Sequence, residues 1–339
     1  MAGSEKTVFV TGGAGYVGSH CCKAFSKAGW KVVVYDNLSR DWRDFVKWGP
    51  LIEGDILDRD ALFSAMEKTK PDAVAHFAAL AYVGESVEHP NIYYRSNVTG
   101  SINLLDAMLG VGVEKMVFSS TCATYGEPQY LPIDEAHPQN PINPYGRSKL
   151  MVERALKDYS HAFGIRSVAL RYFNAAGADP EGDVGERHEP ETHLIPLALR
   201  GAGDPKYTLN ILGSDYDTHD GSAIRDYIHV TDLADAHLRA IQFLERGGGT
   251  VQINLGTGSG TSVIEIRDSV RRVSGRNVKS KFVARRPGDP ASLVAAPKLA
   301  RDLLDWEPKH SSVDQLIGDA WRWHQSESNI RHQIFRTMG

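Results

Sequence analysis

Tyr145 and Lys149, four residues apart, are a pair whose types and spacing could do chemistry. Asn143 is a good helix N-cap, Pro144 suits the first helical position and Gly164 is placed to end the segment, so one helix is predicted from Tyr145 to Phe163. Residues four apart share a helix face, with Cβ atoms roughly 5–6 Å apart. A phenol with an ordinary pKa of about 10 needs about 4 kcal/mol of differential stabilisation to reach 7. A neighbouring ammonium and a second cation are the right kind of perturbation, and the phenolate would then serve as a general base. This spacing is common on surface helices, so its context decides. The apolar run Met116–Ser119 precedes it and continues Ser120-Thr121, offering hydroxyls where a third catalytic group belongs. Thr121 also fits a backbone-capping turn; the catalytic reading is preferred.

A second constellation lies at the start of the chain. The run Thr7–Val10 passes into Thr11-Gly12-Gly13-Ala14-Gly15-Tyr16-Val17-Gly18 and then a helical pattern. Gly12, Gly15 and Gly18 form GxxGxxG, while Gly13, Gly15 and Gly18 form GxGxxG. Missing side chains let the backbone turn tightly, approach a pyrophosphate and pack the helix on the strand. The helix N-terminus adds free N–H groups and a positive dipole end. Asp36 ends the next apolar run 18 residues after Gly18. A carboxylate there bonds ribose hydroxyls and repels a 2′-phosphate, which favours NAD over NADP.

These groups need a scaffold that brings them to one edge. Short apolar runs (Thr7–Val10, Lys31–Tyr35, Leu51–Glu53, Ala73–His76, Met116–Ser119, Val168–Tyr172) alternate with helical patterns such as Tyr16–Ala28, Arg59–Thr69 and Val98–Met108. That alternation predicts an α/β chain with a doubly wound, Rossmann-type parallel sheet. After about Asn174 the chain turns rich in Gly, Asp, Pro and Thr. Strand and helix signals return at Leu194–Arg200, Ala223–His229, Thr231–Leu244, Val251–Leu255 and Ser262–Val273. The expected organisation is a cofactor-binding domain over 1–174 and a smaller C-terminal α/β domain over 175–339 for the substrate. Some late elements should return to the first domain.

Composition narrows the functions. The 339 residues carry 38 Lys and Arg against 42 Asp and Glu, a net charge of −4, without the clustered basic surface that nucleic acid demands. The three cysteines lack any metal-ligand spacing and read as reduced thiols, so neither a metal nor a disulfide is expected. The N-terminus shows no secretory pattern, and nothing approaches the ~20 apolar residues of a membrane span. A cytoplasmic protein is expected, with no nucleic-acid or membrane partner.

The ordered segments TGGAGYVGSH (11–20), YDNLSR (35–40), EGDILD (53–58), HFAALAYVGESVEHP (76–90), NPYGRSKLMVE (143–153), LRYFNAAGADPEG (170–182), GSDYDTHDGSAIRDYIHVTDLADAH (213–237), NLGTG (254–258) and RRPGD (285–289) resemble the extended short-chain dehydrogenase/reductase superfamily. Within it, nearly the whole chain is similar to the UDP-sugar 4-epimerases. That resemblance implies NAD as cofactor and a UDP-sugar as substrate, with interconversion of UDP-glucose and UDP-galactose through a transient 4-keto sugar. It places Thr121, Tyr145 and Lys149 in the catalytic roles. Cofactor contacts are implied for Gly12, Gly15, Tyr16, Val17, Gly18, Asp36, Asn37, Asp55, Ile56, Phe77, Ala78, Ala79, Ala81, Asn97, Thr121, Tyr145, Lys149 and Phe173. Substrate contacts are implied for Thr121, Tyr145, Asn174, His193, Leu194, Asn210, Leu212, Arg225, Tyr227, Arg286, Asp289 and Leu293; arginine suits a diphosphate because its planar fork grips phosphate oxygens. A homodimer, packed through helices 97–108 and 145–163, follows by the same analogy.

Two departures from the family pattern bear on substrate range: His193 stands where the family has an asparagine, and Leu293 stands past RRPGD where a tyrosine or a small residue is usual. A dehydratase of the same superfamily needs an Asp-Glu pair after the threonine. Cys122-Ala123 follow Thr121 here and cannot do that proton work.

Overall fold

A computed structural model describes residues 6–286 and 288–337. Residues 1–5, where the sequence was read as lacking a secretory pattern, and Pro287 of the RRPGD segment lie outside the described residues.

The chain begins β1 (Thr7–Thr11), α1 (Tyr16–Lys27), β2 (Lys31–Asp36), β3 (Leu51–Glu53), α2 (Arg59–Thr69) and β4 (Ala73–His76). It continues α3 (Val83–Glu88), α4 (Pro90–Tyr93), a π-helical turn Tyr94–Thr99, α5 (Gly100–Val111), β5 (Lys115–Thr121), α6 (Pro144–Phe163) and β6 (Arg166–Tyr172). The second half holds β7 (Asn174–Ala176), α7 (Leu194–Gly203), β8 (Leu209–Leu212), β9 (Ile224–Arg225), β10 (Tyr227–His229), α8 (Val230–Glu245) and β11 (Val251–Leu255). Then come β12 (Thr261–Ser262), α9 (Val263–Ser274), β13 (Ser280–Val283), β14 (Ser292–Leu293), α10 (Lys298–Leu304) and α11 (Val313–Thr337).

Seven parallel strands form the main sheet in the order β11-β6-β5-β4-β1-β2-β3. Alternation along each strand feeds two cores. Val8, Val10, Val32, Val34, Ala73, Ala75 and Val117 face α1 and α8, against Cys21, Phe25, Leu233 and Ile241. Phe9, Val33, Tyr35, Val74, Met116 and Phe118 face α2, α5 and α6, against Leu62, Leu104, Leu105 and Leu156. A sheet buried on both faces needs such continuous apolar strands. The order reverses between β1 and β4, and this switch point opens a crevice beyond the strands' carboxyl ends.

Two elements differ from expectation for visible reasons. The expected strand Ala223–His229 is two strands in different sheets: β9 pairs with β12 and β14, β10 with β7. Asp226 divides them, because its buried carboxylate accepts the backbone N–H groups of Thr257, Gly258 and Ala295. The expected helix Val98–Met108 is entered through the π-helical turn, where Asn97 clamps Leu80 by both amide atoms and donates to Ser148 Oγ. From the second half of the chain, β11 is an edge of the main sheet and α8 packs on α1.

Candidate active site

The glycine turn sits directly at the switch point. Gly12 has φ +74°, and a Cβ there would stand 2.5 Å from the Ala78 backbone nitrogen at the end of β4. A Cβ on Gly18 would stand 2.1 Å from the Gly12 carbonyl oxygen, so only glycine lets α1 start this close to β1. Asp36 at the end of β2 is buried; its two oxygens accept the N–H groups of Ala14 and Leu38 at 3.0 and 2.9 Å. Nearby, Asn37 donates to Asp55, and Ile56 is buried under the same rim. Tyr16 anchors the turn across the molecule, donating to the Gly177 carbonyl at 2.7 Å. Phe77, Ala78 and Ala79 line the far side of the crevice half-buried; Val17 is half-buried on α1 and Ala81 is exposed.

The second group gathers where β5 and β6 end. Asn143 caps α6 through the Gly146 N–H, which starts the helix beside Thr121. Gly146 must be glycine here, because a Cβ would lie 2.4 Å from the Ala123 carbonyl. The Tyr145 phenol is pushed well above its ordinary pKa, first by burial; its hydrogen bond with the Thr121 side chain pulls the other way. Thr121 Oγ1 also accepts the Ala123 N–H at 3.1 Å, so the capping and catalytic placements coexist. Lys149 is 3% exposed, donates to the Ser119 carbonyl at 2.9 Å and lies 4.8 Å above the Phe118 ring. Burial lowers its pKa to about 7 against the weaker pull of Glu153. The ammonium is therefore only partly charged near neutrality and cannot by itself hold a phenolate. A second cation at the site is required, in line with the sequence argument.

The second half covers this edge. Leu293 and Phe173 pack with Cys122, Tyr125, Ile133 and Ala295. Leu293 pairs with Arg225 in strand register, and the Cys122 thiol is close enough to feel the Arg225 charge. Arg225 forms an ion pair with Asp289 and donates to the Ile224 carbonyl at 2.7 Å. Asn174 donates its backbone N–H to the Asp226 carbonyl, Tyr227 is buried in β10, and Leu194 starts α7. Asn210 and Leu212 lie on β8, paired with β13, while Arg286 is exposed beyond it. His193 is engaged by the Glu186 carboxylate, which the sequence did not suggest.

Four groups escaped the sequence reading. Asp41 reaches over the glycine turn, its carboxyl 3.0 Å from where a Gly15 Cβ would be; burial and the nearby Asp36 push it up to about 7. Tyr216, with Arg285 stacked 4.1 Å from its ring centre, stands near Arg225 and Asp289. Tyr82 and His188 form a T-shaped pair at 5.8 Å beside Tyr16. No local spacing announces them, although the acidic Asp41 only five residues past Asp36 was a usable signal. His76 joins Thr11 Oγ1 and Ser101 Oγ, and burial lowers it to about 3.

A glycine turn at a switch point, with a tyrosine, a buried lysine and a threonine at the adjoining strand ends, defines a dinucleotide-dependent α/β enzyme. The model of the NAD dependent epimerase/dehydratase family matches residues 8–256, and the chain belongs to that family. It is 52% identical over 324 residues to a UDP-glucose 4-epimerase of Rhizobium leguminosarum bv. trifolii, covering 96% of this chain and 98% of that one. The crystal structure of a UDP-glucose 4-epimerase from Brucella ovis in complex with NAD is 52% identical, with a TM-score of 0.92 over 94% of this chain and 98% of the other. A Stenotrophomonas maltophila UDP-glucose 4-epimerase, solved with NAD and formylated UDP-arabinopyranose, is 38% identical with a TM-score of 0.93, covering 96% and 100%.

Proposed function

We propose that this chain is an NAD-dependent enzyme that interconverts UDP-glucose and UDP-galactose by oxidising and re-reducing sugar C4. The observation that carries this reading is the meeting of Thr121, Tyr145 and Lys149 at the strand ends beside the glycine turn. The cradle fits the cofactor, since Gly12 and Gly18 leave the turn free of side chains where a pyrophosphate must approach. Gly12, Gly15, Gly18, Asp36, Asp55 and Lys149 would hold it. With both Asp36 and Asp41 at the ribose end, a 2′-phosphate would meet two acidic groups, which supports NAD over NADP. Bound there, NAD supplies the hydride acceptor for C4 and the donor for its return.

The chain's own groups do the rest. Tyr145 holds and moves the proton at the sugar 4-oxygen, and Thr121 donates to that oxygen. Arg225 and Arg286 grip the diphosphate, with Asp289 paired to Arg225 at that end, leaving the hexose loose enough to turn. Cys122-Ala123 after Thr121 support epimerisation over dehydration, which needs further acid–base groups there. Residues 1–174 with α8, β11 and α10 act as the cofactor half and the remainder as the substrate half. Three free, buried cysteines support a cytoplasmic setting. Among the described residues no helix is long and apolar enough to cross a membrane. Met151 and Phe163, exposed on α6, support a homodimer through α5 and α6, checked by light scattering of the purified chain.

Incubating the protein with UDP-galactose and no added cofactor tests the reading. UDP-glucose forms without net NADH; accumulation of NADH, or no conversion, overturns it.

A further inference from the structure

The loop that carries the chain from β7 to α7 gathers four side chains, of which only His193 is also among the substrate contacts that the family resemblance implies. Glu186, His188, Glu191 and His193 bring four ligand atoms, two imidazole nitrogens and two carboxylate oxygens, within 4.8 Å of one another. We propose that these four residues bind one Zn²⁺ ion as a closed structural site.

The arrangement has the dimensions of a tetrahedral shell. Bonds of about 2.0–2.1 Å put neighbouring ligand atoms about 3.3 Å apart. His188 Nδ1 lies 3.4 Å from Glu186 Oε1 and 3.5 Å from Glu191 Oε2. At those distances a hydrogen bond could form, yet His188 Nδ1 is buried and has no hydrogen-bond partner. It stands between the two carboxylates, paired with each, at the place a Zn²⁺ ion would take. His193 Nδ1 touches Glu186 Oε1, and a small turn of that half-exposed ring opens the contact to tetrahedral spacing. Two carboxylates and two neutral imidazoles cancel the ion's charge, and imidazole favours zinc over magnesium or calcium.

The supporting shell is already built. Glu191 Oε1 accepts the backbone N–H groups of Thr192 and His193, both at 2.7 Å, which turns Oε2 inward. Trp323 Nε1 donates to the Glu186 carbonyl at 3.1 Å and Trp42 Nε1 to the Arg187 carbonyl at 3.0 Å, pinning the loop backbone. Arg187 lies against the Trp42, Phe45 and Trp323 rings and pairs with Asp44 and Glu327, which anchors the loop between Glu186 and His188. Such outer partners fix ligand orientation. The ion would tie the loop, and the start of α7 with Leu194, to Tyr16, whose ring meets His188 edge-on at 6.3 Å.

The test uses the full chain, purified without a histidine tag, equilibrated with Zn²⁺ and dialysed into metal-free buffer. Elemental analysis should find one zinc per chain, Zn²⁺ should raise the melting temperature of chelator-stripped protein by several degrees, and Mg²⁺ should not. His188→Ala and Glu191→Gln should each lose the retained zinc. X-ray absorption on the loaded wild type, which needs no variant to fold, should give four N/O ligands at about 2.0–2.1 Å. Wild-type protein that retains no zinc, or a folded His188→Ala that retains it in full, overturns the proposal. Neither result bears on the epimerase assay, which reads conversion of the UDP-sugar.

Discussion

The second turn of α6, at Lys149, and the third, at Glu153, bury charge in opposite ways. In the later turn Glu153 receives Arg171 through two nitrogens at 2.9 and 2.6 Å and the Ser120 hydroxyl at 2.6 Å. Arg171 also donates to Tyr125 Oη at 2.8 Å, and its charged form is strengthened. One turn earlier, Lys149 has a carbonyl and an aromatic face but no carboxylate bonded to it, and burial drives it down to about 7 against the weaker pull of Glu153. Both cations are nearly excluded from water, at 2% and 3% exposure. The difference is that Arg171 saturates Glu153, which leaves Lys149 strained and available to a ligand. Completed pairing makes a strut, and withheld pairing makes a reactive group.

The sharpest way to break this comparison is to remove the group that Lys149 is held to serve. Tyr145→Phe should cut kcat about 10³–10⁴-fold, roughly 4–5.5 kcal/mol, with the melting temperature unchanged. An enzyme left fully active would sink both the base and the reason for the strain. Glu153→Gln tests the strut: Arg171 would be left buried without its partner, and denaturant unfolding should register a loss of about 3–5 kcal/mol.

Lys149→Met separates strain from stability. The folded pKa near 7 lies below the unfolded value of about 10.5, so the folded lysine loses its proton first. The burial penalty is complete below pH 7 and is relieved as pH rises toward 10.5. The variant should therefore melt higher than wild type at pH 6, with the gap closing by about pH 10.5, while turnover falls at least about 10²-fold. A gap that widened with pH would show that Lys149 is paired when folded. Thr121→Ala should cost less, about 10–10²-fold in kcat, because one neutral hydrogen bond is lost. The smallest effect belongs to the exposed pair Arg43–Glu53: Arg43→Ala should shift stability by no more than about 1 kcal/mol in thermal melts.

Much of this was legible along the chain. Glycine turns announce themselves, because only glycine tolerates the Gly12–Ala78 and Gly18–Gly12 approaches. Alternating Val8, Phe9 and Val10 announce a strand buried on both faces. The division of β9 from β10 was not legible, because Asp226 meets Thr257, Gly258 and Ala295 only after the chain returns. The π-helical turn at Tyr94–Thr99 was hidden for the same reason, since Asn97 is held by Leu80 and by Ser148, which lies 51 residues away.

The sequence by itself determined the doubly wound class, the glycine turn and the Tyr145–Lys149 pair, since each depends on residues close enough in the chain to impose their own geometry. Only the tertiary structure decided which buried cation is satisfied, how Asp41 joins Asp36, and that Glu186, His188, Glu191 and His193 converge. Those outcomes rest on desolvation and on partners drawn from distant strands, and no local spacing encodes either.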